Sequence, residues 1–157
     1  MNEKPDKFER VVVRLSELLE ETQYAIRGTA SLVLQGLQMN VDDIDVLTDK
    51  KGALACSKLL KNYLVEKVSY KQSPKYRSYF GVFSIDGVKV EVYGEWQIMK
   101  ANGEWSSVYN GKDRKQITVG GQTIWVTTID SELKMFVDMG RWNAYHKIRR
   151  QVSSRKE

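Results

Sequence analysis

Two alternating segments separated by Asp86-Gly87 constrain the possible fold most strongly. Polar and apolar residues alternate in YRSYFGVFSID and again in VKVEVYGEW, which is the period of a half-buried strand. An Asp-Gly pair between two such segments is typical of a tight hairpin turn. A second pair, Gly120-Gly121, joins KQITV to QTIWVTT in the same way. The second half of the chain is therefore predicted to contain antiparallel strand pairs.

Helical periodicity occurs on both sides of these strands. Apolar residues recur three and four positions apart at about 5–21, in a segment that Thr29 or Ala30 opens, at 51–64, and twice after Asp130. The short apolar segment 24–26 and the alternating segment VDDIDVLTD are predicted strands. The resulting order is α-β-α-β-α, then antiparallel β, then two helices. It predicts an α+β fold in which helices pack on a mixed sheet and a helical pair ends the chain.

Composition is ordinary for a globular protein and excludes several classes. The 157 residues are 41% hydrophobic and 29% charged, which fits one domain, 1–157, with a basic tail at about 151–157. No apolar segment is long enough to span a bilayer and the start has no signal-peptide pattern, so we expect a cytoplasmic protein without a membrane partner. The single cysteine, Cys56, cannot form an internal disulfide. The net charge of +5 is compatible with phosphate-bearing ligands but does not require them.

Asp43-Ile44-Asp45 is the segment that points most clearly to a metal-binding or catalytic site. Side chains two apart on a strand point to the same face, so both carboxylates aim together while Ile44 and Val46 turn to the core. Two such carboxylates repel each other unless a cation joins them, and their hard oxygens suit Mg²⁺ or Mn²⁺. Asp-x-Asp alone is also typical of a solvated strand end.

Two other features favour a metal site over a solvated strand end. Gly28-Thr29 lies between a predicted strand and a predicted helix, where free backbone N–H groups and the threonine hydroxyl bind phosphate. A plain glycine turn with a threonine N-cap is the other interpretation. Glu91 lies on the VKVEVY strand, on the face opposite its valines. It becomes a third carboxylate of one cluster if this strand neighbours the Asp43 strand, and is a surface residue otherwise.

This ordered pattern resembles the nucleotidyltransferase superfamily of the DNA polymerase β type. IRGTASL and DIDV look like its helix-opening Gly-Ser and its Asp-x-Asp strand, and VEV around Glu91 looks like its later acidic strand. The end of the chain, with Gly140-Arg141 and then Lys147, is similar to that of small stand-alone members. The resemblance covers roughly 24–150.

Three positions depart from the superfamily pattern. Thr29 replaces the usual serine and keeps its hydroxyl, Arg27 stands where a second glycine is frequent, and Glu91 is longer than the usual aspartate.

The resemblance implies an Mg²⁺- or Mn²⁺-dependent enzyme that moves a nucleoside monophosphate from an NTP to a hydroxyl acceptor and releases pyrophosphate. Its implied catalytic and metal-binding carboxylates are Asp43, Asp45 and Glu91. The expected nucleotide-binding residues are Gly28, Thr29, Lys89, Arg141 and Lys147. Further candidates are the cations Lys75 and Arg77, which could neutralise phosphates or be surface charges. The aromatic residues Tyr93, Trp96 and Trp105 could stack on a base or belong to the core.

The acceptor is left open by the sequence: a small molecule, RNA or protein fits equally, and the oligomeric state cannot be read from it. Three other functions compete with the enzyme. They are a catalytically silent module that binds a nucleotide or a partner, a metal-dependent nuclease, and an antitoxin-like subunit bound to another chain. The complete carboxylate set argues against the first, and the Gly-Thr helix start favours a triphosphate over the nuclease's diester.

Overall fold

The computed structural model describes residues 6–155 of the chain. Helices and strands follow one another as α1 (Lys7–Leu18), β1 (Tyr24–Arg27), α2 (Gly28–Leu34), β2 (Ile44–Thr48), α3 (Lys50–Leu59), β3 (Leu64–Gln72), β4 (Tyr76–Ile85), β5 (Val88–Ile98), β6 (Arg114–Val119), β7 (Gln122–Thr127), α4 (Ile129–Met139) and α5 (Trp142–Arg155), with a 3₁₀ turn at Lys61–Tyr63. The predicted order of helices and strands is confirmed.

The strands form one mixed sheet in the order β3-β4-β5-β2-β1-β7-β6. The β2–β5 and β1–β7 pairs are parallel, whereas the remaining neighbours are antiparallel. The predicted α+β class with a mixed sheet and a final helical pair is thus confirmed. The parallel β2–β5 pair matters most for function, because it brings the strand of Asp45 beside the strand of Glu91.

Turn chemistry fixes both predicted hairpins. Asp86 and Gly87 have φ values of 51° and 80°, and Gly120 and Gly121 have φ values of 56° and 78°. Two consecutive residues with positive φ form the turn whose twist matches that of the flanking strands. The β4–β5 and β6–β7 pairs follow directly from these turns.

Strand alternation separates the two faces of the sheet. Ile44, Val46, Val90 and Val92 are fully buried in a core that also contains residues of α1 and α3. Asp45 and Glu91 alternate with these residues and therefore lie on the opposite face. A second core, which joins α2, α4 and α5, contains Leu32, Leu37, Leu133, Phe136 and Ile148. The predicted inward orientation of Ile44 and Val46 is confirmed.

Several boundaries differ from those predicted. The first helix spans 7–18 rather than 5–21, with Asp6 as its N-cap, and Pro5 lies outside the described residues. The helix predicted at 51–64 ends at Leu59, and the chain then enters β3. Thr128, rather than Asp130 or Ser131, caps α4 by accepting a hydrogen bond from the Ser131 N–H at 3.1 Å. Among residues 6–155, none of the helices has the length and apolar character needed to cross a bilayer.

Candidate active site

A cleft of about 610 Å³ opens on the face of the sheet that carries Asp45. Its floor includes the end of β1, the start of α2 and Asp45 on β2. One wall comes from the end of β3, from β4, and from Tyr93 and Trp96 of β5. The other wall comes from α4 and the start of α5. The cleft therefore lies where the predicted glycine turn and the Asp-x-Asp segment meet.

Asp45 lies between two charged neighbours on adjacent strands. It is paired in register with Arg27 of antiparallel β1 and with Glu91 of parallel β5. Its side chain is 25% exposed. Burial raises the pKa of Asp45 to about 6, Arg27 opposes this rise, and the negative charge of Glu91 adds to it. A carboxylate in this environment gains from any cation that approaches it.

Arg27 is the site residue that the sequence did not identify as functional. It is 8% exposed, and its Nη1 lies 3.2 Å from Asp45 Oδ2. Its guanidinium lies 4.5 Å from the ring centre of Trp96 and 5.6 Å from that of Tyr93. Among the described residues, its Nε has no hydrogen-bond partner. The signal was available, because a charged residue within the buried strand YAIR requires a partner.

Gly28 places the backbone of α2 against Asp45. It has a φ of +71°, and a Cβ added to it would lie 3.4 Å from Asp45 Oδ2. The helix begins at Gly28 rather than at Thr29 or Ala30, and its N-cap residue, Arg27, makes no side-chain capping bond. Gly28 and Thr29 both line the cleft. Thr29 is therefore not the N-cap of a plain turn, and the predicted juxtaposition with the Asp-x-Asp segment is present.

The three predicted carboxylates are not equally placed. Glu91 lies in register with Asp45, its side chain is 20% exposed, and its Oε1 is 3.8 Å from Lys89 Nζ. Asp43 is exposed and precedes β2, which begins at Ile44, so strand alternation does not fix its direction. Within residues 6–155, no three His, Cys, Asp or Glu side chains are grouped closely enough to hold a metal ion by themselves.

The donor set nevertheless suits Mg²⁺. This ion is usually bound by one or two carboxylates together with substrate phosphates and water, rather than by a complete protein cage. Asp45 and Glu91 offer hard oxygen ligands from adjacent strands, and Asp45 already contacts a cationic group, the guanidinium of Arg27. The chemistry of these residues fits a divalent cation that arrives with a nucleotide.

The predicted cations are divided between the cleft and the surface. Arg141 lines the cleft, while Lys147 is exposed on α5 and is not among the lining residues. Lys89 is exposed and faces Glu91. Arg77 lines the cleft, where its Nε donates to Gln97 Oε1 at 2.9 Å.

The aromatic candidates divide in a similar way. Tyr93 and Trp96 line the cleft. Trp105 instead covers the Arg77 guanidinium, at 4.3 Å from its ring centre. Lys75 Nζ donates to the backbone oxygen of Met99 at 3.2 Å.

A buried polar network fixes the helix that begins at Gly28. Thr127 Oγ1 donates to Glu132 Oε2 at 2.7 Å, and Ser31 Oγ donates to the Thr127 backbone oxygen at 2.9 Å. Glu132 is fully buried. These bonds connect α2 with β7 and α4, so they hold the floor of the cleft in one position.

Similarity to solved structures defines the class of protein. The fold is similar to that of a Thermotoga maritima protein provisionally named a nucleotidyltransferase, with a TM-score of 0.79, 26% identity, and coverage of 94% of this chain and 94% of that chain. It is also similar to the lincosamide antibiotic adenylyltransferase LnuA, whose structure contains lincomycin. The TM-score is 0.51 and the identity 15%, with 85% of this chain and 86% of that chain covered. At this lower identity the likeness concerns the fold alone. The chain has the nucleotidyltransferase fold.

The sequence places the chain within this class. Residues 10–151 match the family model of aminoglycoside-2''-adenylyltransferase, and the chain belongs to that family. No curated protein is similar enough in sequence to count as a relative. The prediction that the chain is a nucleotidyltransferase is confirmed by the family and by the solved structures.

Proposed function

We propose that this protein is a magnesium-dependent nucleotidyltransferase of the DNA polymerase β type, which transfers a nucleoside monophosphate from an NTP to a hydroxyl acceptor. The observation that carries the proposal is the position of Asp45, between Glu91 on β5 and the glycine that opens α2, within a cleft. Membership of an adenylyltransferase family supports ATP as the NTP and a small molecule as the acceptor.

Each residue of the site has a role in this proposal. Asp45 and Glu91, with Asp43 immediately before β2, would hold Mg²⁺. When bound, the ion offsets negative charge on the phosphates of the nucleotide. Gly28 allows the phosphates to approach the backbone, and Thr29 offers a hydroxyl donor. Arg141, which lines the cleft, is the main proposed cation for the phosphates, and Lys89 and Lys147, which are exposed outside the lining, are proposed for weaker contacts.

The reaction follows from this arrangement. The acceptor oxygen forms a bond to the α-phosphorus, the bond between the α-phosphorus and the bridging oxygen breaks, and pyrophosphate leaves. Glu91, just outside the lining of the cleft, is the proposed general base for the acceptor proton, because it lies in register with Asp45 and its side chain is 20% exposed. Arg27 holds Asp45 in position before the nucleotide binds.

A screen with labelled nucleotides tests the proposal. Each NTP, labelled at the α-phosphate, is incubated with the protein, Mg²⁺ or Mn²⁺ and a cell extract. We expect label in a new product, together with pyrophosphate. Asp45→Asn should abolish both products while leaving the circular dichroism spectrum unchanged. Label transfer that persists in Asp45→Asn would remove the assignment.

A second candidate is a catalytically silent nucleotide- or partner-binding module of the same fold. The exposed position of Asp43, which precedes β2, favours this candidate. Calorimetry of ATP binding together with a pyrophosphate assay separates the two functions. A silent module binds ATP but releases no pyrophosphate, whichever acceptor is added. The enzyme releases pyrophosphate in proportion to the product formed.

A further inference from the structure

The charged side chains that line the cleft are mostly cationic. Among the described residues that line it, Asp45 carries the one carboxylate. The lining cations are Arg27, Lys71, Arg77 and Arg141. Arg27 and Asp45 pair with each other, so they contribute little net charge. Lys71 likewise pairs with Glu66, which does not line the cleft, so Arg77 and Arg141 are the lining cations that most favour a negatively charged occupant.

Two of these cations lie on the β3–β4 wall, away from the glycine turn. Arg77 is held by its bond to Gln97 and by Trp105, whose ring centre is 4.3 Å from the guanidinium. Lys71 is exposed and forms an ion pair with Glu66, and its Nζ lies 5.4 Å from the ring centre of Phe80. A guanidinium fixed in this way can bind an anionic group at a low entropic cost.

Flat aromatic surfaces accompany the cations on this wall. Tyr76 and Trp96 are stacked with ring centres 5.7 Å apart and planes at 27°, and Tyr93 lies 5.7 Å from Trp96. The negative face of an aromatic ring attracts cations, but Arg27 already lies over Trp96 at 4.5 Å. Trp96 is only 3% exposed between Tyr76 and Arg27, whereas Tyr76 is 37% exposed, so the ring face that this wall offers for stacking is that of Tyr76.

This combination does not suit the acceptor after which the family is named. Aminoglycosides carry several ammonium groups, and a site for them needs carboxylates to pair with those groups. Like charges placed face to face lower affinity, and they exclude the wrong partner as effectively as good contacts select the right one. The lining cations would act in this way against a polycation.

We propose that the acceptor is a small hydroxyl compound with an anionic group and a flat ring, and not a polycationic aminoglycoside. Arg77 would bind its anionic group, Lys71 would join it by exchanging its exposed pair with Glu66, and the exposed face of Tyr76 would stack on its ring. This specificity rests on the proposed transfer of a nucleoside monophosphate. The acceptor hydroxyl attacks the α-phosphorus, pyrophosphate leaves and the hydroxyl proton passes to Glu91.

Three matched probes test the charge preference. They are 4-nitrophenyl glucoside, its 6-phosphate, and its 6-amino-6-deoxy analogue, which share the ring and the other hydroxyls but differ in charge. Their dissociation constants are measured by calorimetry on the full chain, with Mg²⁺ and a saturating non-hydrolysable ATP analogue and again without nucleotide. Kanamycin serves as a polycationic probe. We expect the phosphate to bind at least about tenfold more tightly than the ammonium compound.

Variants assign the preference to the β3–β4 wall. Arg77→Gln and Lys71→Gln should each reduce the phosphate-to-ammonium ratio by several fold. The matched control is Lys115→Gln, an exposed lysine on β6, at the opposite edge of the sheet from the Lys71 strand. It should leave the ratio unchanged. Should Arg77→Gln fail to fold, Lys71→Gln at an exposed position still provides the test.

Tighter binding of kanamycin or of the ammonium probe overturns the inference, as does equal or undetectable binding of all three glucosides. The measurement without nucleotide does not depend on catalysis. A protein that binds no ATP but still prefers the phosphate probe would disprove the proposed function and leave the charge preference standing. A protein that binds ATP and prefers kanamycin would disprove the charge preference and leave the proposed function standing.

Discussion

Arg27 and Asp45 form an ion pair across antiparallel β1 and β2, with Nη1 and Oδ2 3.2 Å apart, at the floor of the cleft. The arginine is buried, and Trp96 covers its guanidinium. Because Arg27 is buried and only 25% of the Asp45 side chain is exposed, each charge depends on the other for compensation. The pair therefore sets both the stability of the floor and the direction of the Asp45 carboxylate.

Arg27→Met should destabilise the protein by about 3 kcal/mol at pH 8, because it leaves the Asp45 carboxylate without its cation. Urea denaturation measures the loss. The double variant Arg27→Met/Asp45→Asn should recover about 1–3 kcal/mol relative to the sum of the single variants. Arg150→Met, at an exposed position of α5, is the control and should change stability by less than about 0.5 kcal/mol. Additive single variants would show that the pair carries no coupling energy.

The fold was largely accessible from local patterns because its turns and faces are encoded locally. Asp86-Gly87 and Gly120-Gly121 specify their hairpins through positive φ values, and alternation specifies which residues of β5 are buried. The edge strand β3 was not separated from the surrounding β-rich segment. Most of its residues are exposed, so its sequence has little alternation.

The site was less accessible because it depends on pairing between distant segments. The sequence around Asp45 and Glu91 does not indicate that their strands are neighbours. That becomes visible only in the structure, where β2 and β5 pair in parallel. The resemblance to a known superfamily predicted this convergence, whereas periodicity alone left Glu91 as a surface residue. Arg27 was seen only as a departure from a glycine pattern, since its ion pair requires β1 to lie against β2.

The stability of Asp45→Asn relative to wild type should increase with pH. Burial raises the pKa of Asp45 to about 6, so between about pH 4 and pH 6 the unfolded chain ionises this carboxyl more readily than the folded protein does. The stability associated with the protonated carboxyl is thus present at low pH and lost as pH rises through 6. Asparagine cannot ionise and does not incur this loss.

In the presence of EDTA, the free energy of unfolding of Asp45→Asn relative to wild type should rise from pH 4 to pH 7 by on the order of 2–3 kcal/mol. Urea denaturation at each pH provides the measurement. The same variant should lose nucleotidyl transfer at every pH tested. A difference that stays constant across this pH range would contradict the assignment.

Gly28→Ala should weaken nucleotide binding beyond its effect on stability. Gly28 has a φ of +71° and borders Asp45, whereas Gly121 has a φ of +78° in the β6–β7 hairpin, where an added Cβ would meet nothing within 4 Å. Both alanine variants should lose about 1 kcal/mol of stability, because alanine is strained at positive φ. ATP affinity, measured by calorimetry with Mg²⁺, should fall only in Gly28→Ala. Equal affinity in the two variants would show that the glycine serves the backbone turn alone.

Arg141→Gln should raise the KM for the NTP by about tenfold, because the guanidinium lines the cleft and a bond between a charged donor and a phosphate contributes on the order of 1.5 kcal/mol. Lys147, on the helix α5 that follows Arg141, provides a comparison, since it is exposed and is not among the lining residues. Lys147→Gln should therefore change the KM by less than about twofold. Steady-state release of pyrophosphate at varied NTP concentration measures both values. The reverse order would mean that the nucleotide extends out of the cleft along α5, with its phosphates nearer to Lys147 than to Arg141.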